Sequence, residues 1–214
     1  MRHPFLLRFA RGGLAPWQIW AYASQHYRLV CFFPAYLQAV ANWTPDDELR
    51  TLVREILEEE YMRLERLERS HTALYRRFMR AVGFVEEEWD SVPWLPATRD
   101  FVTLHLEMPL RSWIETLGAV GPGHEWAIPR MFPFLLQGIE RSLSVDHAAL
   151  EYFRLHIDVD VRHGEVLQRG LLRWATTEQH RQEIRTGMCR SLDARAAFWS
   201  ALAEQLFADG ADRQ

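Results

Sequence analysis

Lysine is absent. All 25 basic residues of the 214-residue chain are arginine, which excludes Schiff-base and lysine-nucleophile chemistry except through the α-amino terminus. Cysteine is scarce: Cys31 and Cys189 are far apart in the sequence. That rules out a thiolate metal cage and suits a reducing compartment, while a single disulfide stays open. No apolar run reaches the ~18 residues of a membrane span, and the N-terminus lacks the pattern of a secretory signal. The expectation is a cytoplasmic soluble protein with no membrane partner. The net charge of −4 and the lack of any long basic run predict no nucleic-acid partner either. Alternating strand patterns, internal repeats, low-complexity segments and linkers are missing too.

What is present is helix. A hydrophobic content of 48% over 214 residues predicts one domain, 1–214, with a frayed tail over about 208–214. From Pro16 the segment PWQIWAYASQHYRLVCFFPAYLQAVANW is apolar at helical spacing, with Pro34 as a kink. Thr44-Pro45-Asp46-Asp47 has the threonine cap and first-turn proline that open a second helix. That helix is expected to run to Ala81 and stop at Gly83. After VPWLP, Thr98 is expected to cap a helix that bends near Pro109 and ends around Leu117. GAVGPGHEWAIP then puts three glycines and two prolines into twelve residues. A further helix reaches about Leu143. Ser144 is expected to cap a long one over 145–175, and Thr176 or Thr177 the last, to about Phe207. About seven helices around one core make an all-α bundle.

Titratable chemistry concentrates in HIDVDVRH, His156 to His163. At about 100° per residue, Asp160 lies ~40° from His156 and His163 lies ~20° from it on the other side, whereas Asp158 points roughly 160° away. Two imidazoles and one carboxylate therefore share a stripe, and Asp158 faces solvent. A metal site in a bundle draws further acids and histidines from facing helices. EEEYMRLERLERSH offers them: Glu60 and His71 lie ~20° apart in angle, and Glu68 stands three residues before His71. Glu58 and Glu59 compete with Glu60, since ERLER also reads as an exposed, ion-paired helix face. Glu125 in GHEWAIPRM is a further acid. His26, His105, His124 and His147 have no partner at ligand spacing, and His3 and His180 read as structural.

The chain resembles the heme-oxygenase-like nonheme diiron oxidases, relatives of the TenA, PqqC and CADD proteins, over nearly its whole length. HPF and GGL, AYASQHYRLVCFFPAYL, EILEEEY, SHTALYRRFMRAVGF, HEWAIPRM and HIDVDVRH carry the likeness. The H-x3-D-x2-H pattern of the last stretch is the most specific. The resemblance implies a heme-oxygenase-like fold and six metal ligands: Glu60, His71, Glu125, His156, Asp160 and His163. It implies two iron ions, manganese being the lesser alternative, with O2 as co-substrate. A small-molecule substrate, an electron donor and a homodimer belong to the same expectation. Three departures stand out. Met62 replaces a glycine that follows the family's first glutamate, which keeps Glu59 as the alternative to Glu60. GAVGPG replaces continuous helix, which predicts that Glu125 sits on a broken or bulged helix. Leu6 and Leu135 occupy the places where CADD-like p-aminobenzoate synthases use a tyrosine and a lysine, which argues against that activity.

The function expected is an O2-dependent oxidation of a small amine, amino acid or fatty acid, by N-oxygenation, desaturation or C–C cleavage. Trp20, Tyr27 and Trp126 are candidates for lining its substrate pocket. The alternatives are a PqqC-like cofactor-free oxidase and a TenA-like metal-free hydrolase, which requires a nucleophilic cysteine. A non-catalytic interaction protein is the last, and three buried carboxylates speak against it.

Overall fold

The computed structural model describes residues 2–61, 68–86, 89 and 91–208. Among them nine α-helical segments follow one another: α1 Pro4–Phe9, α2 Pro16–Trp43, α3 Asp47–Tyr61, α4 His71–Ala81, α5 Pro96–Glu107, α6 Trp113–Val120, α7 Ile128–Ser142, α8 Glu151–Trp174 and α9 Glu178–Phe207. No strand occurs among the described residues. The all-α bundle read from the sequence is the fold, with more breaks than periodicity predicts.

Each break has a local cause. Asp46, not Thr44, caps α3: its carboxylate accepts from the backbone N–H groups of Glu48 and Leu49. A single helix to Ala81 does not form. α3 is described as far as Tyr61, residues 62–67 lie outside the described set, and Ser70 opens α4 by accepting from the Ala73 N–H at 3.2 Å. Gly83 ends α4 at φ +95°, as expected. Pro96, rather than capping Thr98, begins α5, and Thr98 is buried with its hydroxyl donating to Gln25 at 2.8 Å. A 3-10 turn over Met108–Leu110 separates α5 from α6, which Ser112 caps. Asp146 takes the capping role expected of Ser144, above a 3-10 turn that leads into α8. Thr177 caps α9 as read.

α6 lies backbone to backbone against α9. A Cβ on Gly187 would meet the Glu115 carbonyl oxygen at 1.8 Å, and one on Gly118 would meet the Ile184 carbonyl at 2.2 Å. Only a missing side chain permits that approach. The aromatic interior of the bundle holds Phe5, Tyr22, Tyr75, Phe78, Phe132, Phe153 and Trp199, all essentially buried. α2, α3, α4, α8 and the segment joining α6 to α7 surround a polar volume beside this core, and the titratable residues of the sequence converge there.

Candidate metal centre

α8 supplies the stripe that its periodicity predicts. His156, Asp160 and His163 are buried and Asp158 is exposed. His156 Nδ1 lies 2.7 Å from the Tyr152 carbonyl one turn earlier. A carbonyl can only accept, so Nδ1 carries the proton and Nε2 keeps its lone pair for the centre. His163 is held the opposite way round. Its Nε2 donates to Glu59 at 3.0 Å, which leaves Nδ1 facing Glu125 at 3.6 Å and Asp160 at 3.9 Å.

Glu60 at the end of α3 and His71 at the start of α4 reach the same volume from across the break. Glu60 Oε2 is 2.8 Å from His71 Nδ1, and the His71 and His156 rings are 4.3 Å apart. The three acids near Glu60 now separate. Glu58 and Glu68 are exposed. Glu59 is part-exposed and occupied with His163 and Arg162. Glu60 alone of these is buried.

Glu125 arrives by a π-helical turn, Gly121–Glu125, in which the Trp126 N–H reaches back five residues to the Gly121 carbonyl. The broken or bulged helix expected from GAVGPG takes this form, and the extra residue turns Glu125 inward to 1% exposure. Trp126 then donates its indole N–H to the Gly164 carbonyl at 3.0 Å and braces the turn against α8.

Two clusters of possible ligand atoms result: Glu60, His71 and His156 form one, and Glu60, Glu125 and His163 the other, each within 4.8 Å. Glu60 belongs to both. Asp160 stands beside the second cluster, near His163. Six polar atoms here have no hydrogen-bond partner: His71 Nδ1, His163 Nδ1 and both oxygens of Glu125 and of Asp160. The 2.8 Å contact between His71 and Glu60 is thus a close approach without hydrogen-bond alignment. An unsatisfied buried polar group costs about 1–3 kcal/mol, and six in one volume fit a cation site far better than a packed core. Three carboxylates and three imidazoles suit two divalent ions of iron or manganese type.

Electrostatics within the protein agree. Burial, reinforced by Glu125 and Glu60, pushes Asp160 well above the usual carboxylate range. Burial raises Glu125 as well. Burial opposes charge on His163, but Glu125 and Glu59 outweigh it and lift the group to about 9. Burial, with His71, drives His156 down to about 3. Bound cations would favour the deprotonated forms of Asp160, Glu125 and His163.

A narrow cavity adjoins the centre, lined by Glu60, His156 and Asp160 together with Leu29, Val30, Phe33, Ile128, Phe132 and Tyr152. His26, His124 and Arg195 complete the wall. Spacing gave no sign of these three, because they come singly from α2, the π turn and α9. Trp20 and Tyr27 are not among the lining residues. Trp20 stacks on Phe84 at 4.5 Å, and Tyr27 packs on Tyr75 while its hydroxyl accepts from Arg76. Trp126 borders an outer groove with Glu125, Arg130, Asp160 and Gly164. Cys31 and Cys189 are exposed and do not line the cavity. Of the remaining histidines, His105 is buried between the Phe101 carbonyl and Ser191, and His147 is exposed. His3 caps α1, and His180 bonds the Trp174 carbonyl.

The fold and this donor set define a heme-oxygenase-like, metal-dependent oxidoreductase. The chain belongs to the family of iron-containing redox enzymes, whose model matches residues 20–196. It is 28% identical over 164 residues to a 4-aminobenzoate synthase of Chlamydia pneumoniae, covering 76% of this chain and 71% of that protein. A 4-aminobenzoate synthase of Nitrosomonas europaea is 23% identical and covers 98% and 87% of the two chains. The 4-chloro-allylglycine synthase of Streptantibioticus cattleyicolor is 23% identical, covering 95% and 77%. Among solved structures, a heme oxygenase-like domain of unknown function from Shewanella denitrificans superposes with a TM-score of 0.80 at 18% identity, over 100% of this chain and 90% of that one. A CADD-like protein of unknown function from Nostoc punctiforme gives 0.68 at 19% identity, over 94% and 87%. No described helix is long and apolar enough to cross a membrane.

Proposed function

We propose that the protein is an O2-dependent diiron oxidase or oxygenase that acts on a small metabolite in a biosynthetic pathway. One observation carries this reading: Glu60 belongs to both ligand clusters, so the two would hold adjacent ions with one carboxylate in common. Two ferrous ions bound there would supply the activation of O2 and the oxidation of the substrate.

The protein's own residues prepare the site for that task. The Tyr152 carbonyl and Glu59 fix the tautomers of His156 and His163, so each ring offers one lone pair inward. Leu29, Val30, Phe33, Ile128 and Phe132 make the cavity wall apolar and exclude bulk water from the reacting volume. Asp160 borders both the cavity and the outer groove, so its carboxylate stands between the two openings to the centre. Two relatives are named for 4-aminobenzoate synthesis and one for a chlorinated allylglycine, so the family supports biosynthetic oxidation without fixing this chain's substrate. Leu6 and Leu135 are fully buried core residues, and the chain has no lysine. The tyrosine and lysine that the resemblance attributes to the p-aminobenzoate branch are therefore not available at those positions. A cysteine-dependent hydrolase has no thiol at the cavity.

The test is to load the protein anaerobically with Fe(II), count iron per chain, and follow iron oxidation and O2 uptake optically and with an electrode. About two irons per chain and rapid O2 uptake are expected. Near-zero iron in protein with native helicity would overturn the reading.

A further inference from the structure

Arg195 is the one cation in the cavity wall, and the proposed metal chemistry does not use it. It projects from α9, is 1% exposed, and forms no ion pair with any acid among the described residues. Its Nη2 donates to His124 Nδ1 at 2.5 Å, its guanidinium lies 4.9 Å from the centroid of the Phe101 ring, and its Nε has no partner. His124 is in turn stacked on Phe33, with ring centroids 4.2 Å apart. It can orient the guanidinium.

A buried cation without a counter-ion is costly. Burial brings the Arg195 pKa down to about 10, so the group still carries its charge at neutral pH. Glu60 and Asp160 share this cavity wall, yet neither forms an ion pair with it. The cost is offset if a ligand supplies the anion. A guanidinium matches a carboxylate with parallel N–H···O bonds, and apolar side chains make up much of the wall beside it.

We propose that Arg195 is the anchor for a substrate carboxylate, and that the enzyme oxidises a small carboxylic acid or amino acid whose apolar or amine-bearing portion faces Glu60, His156 and Asp160. This inference deepens the metal-centre reading by naming its substrate class, and it rests on that reading for the oxidation though not for the binding. Arg195 is the specificity determinant that separates acids from neutral analogues of the same shape.

The experiment is calorimetric titration of the protein, as metal-free and as Fe(II)-loaded enzyme under anaerobic conditions. The probes are butyrate and benzoate against butyramide and benzamide, with inorganic phosphate as a further anion. At least one carboxylate should bind about tenfold or more tightly than its amide. Arg195→Met should bring the acid down to the affinity of the amide, and Arg195→Lys should keep part of the preference, with iron per chain unchanged in both. Equal binding of acid and amide by the wild type would overturn the proposal. So would an undiminished preference in Arg195→Met, or phosphate binding more tightly than either acid. If Arg195→Met fails to fold, the wild-type comparison and Arg195→Lys still decide. Failure to take up iron would sink the metal reading alone, because the metal-free titrations judge Arg195 separately.

Discussion

Asp158 and Asp160 stand two residues apart on one helix and face opposite ways. Both are mid-helical aspartates of α8, one exposed and one 1% exposed. Replacing either by alanine gains the same few tenths of a kcal/mol of helix propensity, so the difference between the variants reports the site. Asp160 leaves two buried oxygens unsatisfied, which costs the metal-free protein about 1–3 kcal/mol. Asp160→Ala should therefore stabilise the metal-free form by that amount relative to Asp158→Ala, raising Tm by about 2–12 °C for a chain of this size. With Fe(II) present the order should reverse. The Asp158→Ala protein should load iron and gain Tm as wild type does, while Asp160→Ala should lose iron and gain little. Calorimetric scans of metal-free and iron-loaded protein, with iron counted in each, make the test. Equal iron content in the two variants would refute the assignment of faces, and an Asp160→Ala protein less stable without metal would refute the cost assigned to the orphaned carboxylate.

Further outcomes follow from the same geometry. His71 belongs to one ligand cluster and Glu60 to both, so His71→Ala should retain about one iron per chain and Glu60→Ala about none, read by metal analysis. His26 is buried with its pKa lowered to about 3, so it stays neutral when folded and takes up a proton on unfolding. Its contribution is full above the ordinary value of 6.5 and is lost as pH falls from there towards 3. His26→Phe should flatten the acid loss of stability by roughly 1 kcal/mol per pH unit in that window, measured by urea unfolding. Gly187→Ala, which drives a methyl into the Glu115 carbonyl, should cost about 3 kcal/mol. Gly170→Ala meets only the Leu49 side-chain tip and should cost clearly less.

Periodicity carried the reading where one helix did the work. The stripe of α8, the exposure of Asp158, the length of α2 and the start of α9 all follow from a 3.6-residue repeat and a cap. Local rules failed where two groups competed for the same task. Thr44 and Asp46 are both good caps, and Asp46 prevails because its carboxylate reaches two free N–H groups. Ser70 reads as mid-helix until its hydroxyl is seen to cap α4, and the helix expected over 44–81 divides there.

That division changes the meaning of the pair Glu60 and His71. On one unbroken helix they would share a face three turns apart, roughly 16 Å along the axis, too far to meet at one ion. With the helix divided at Ser70, the two side chains stand 2.8 Å apart. Angular agreement on one helix is therefore not what unites them. The π turn solves a similar problem for Glu125, since an added residue rotates the carboxylate into the centre where a regular helix would carry it past. Both irregularities sit at the metal-facing ends of their helices, as expected where positioning ligands outranks regular hydrogen bonding. Arg195 was beyond any such reasoning. One arginine among 25, on a helix whose neighbours in sequence are unremarkable, acquires meaning only from its place in the cavity wall and from having no ion pair among the described residues.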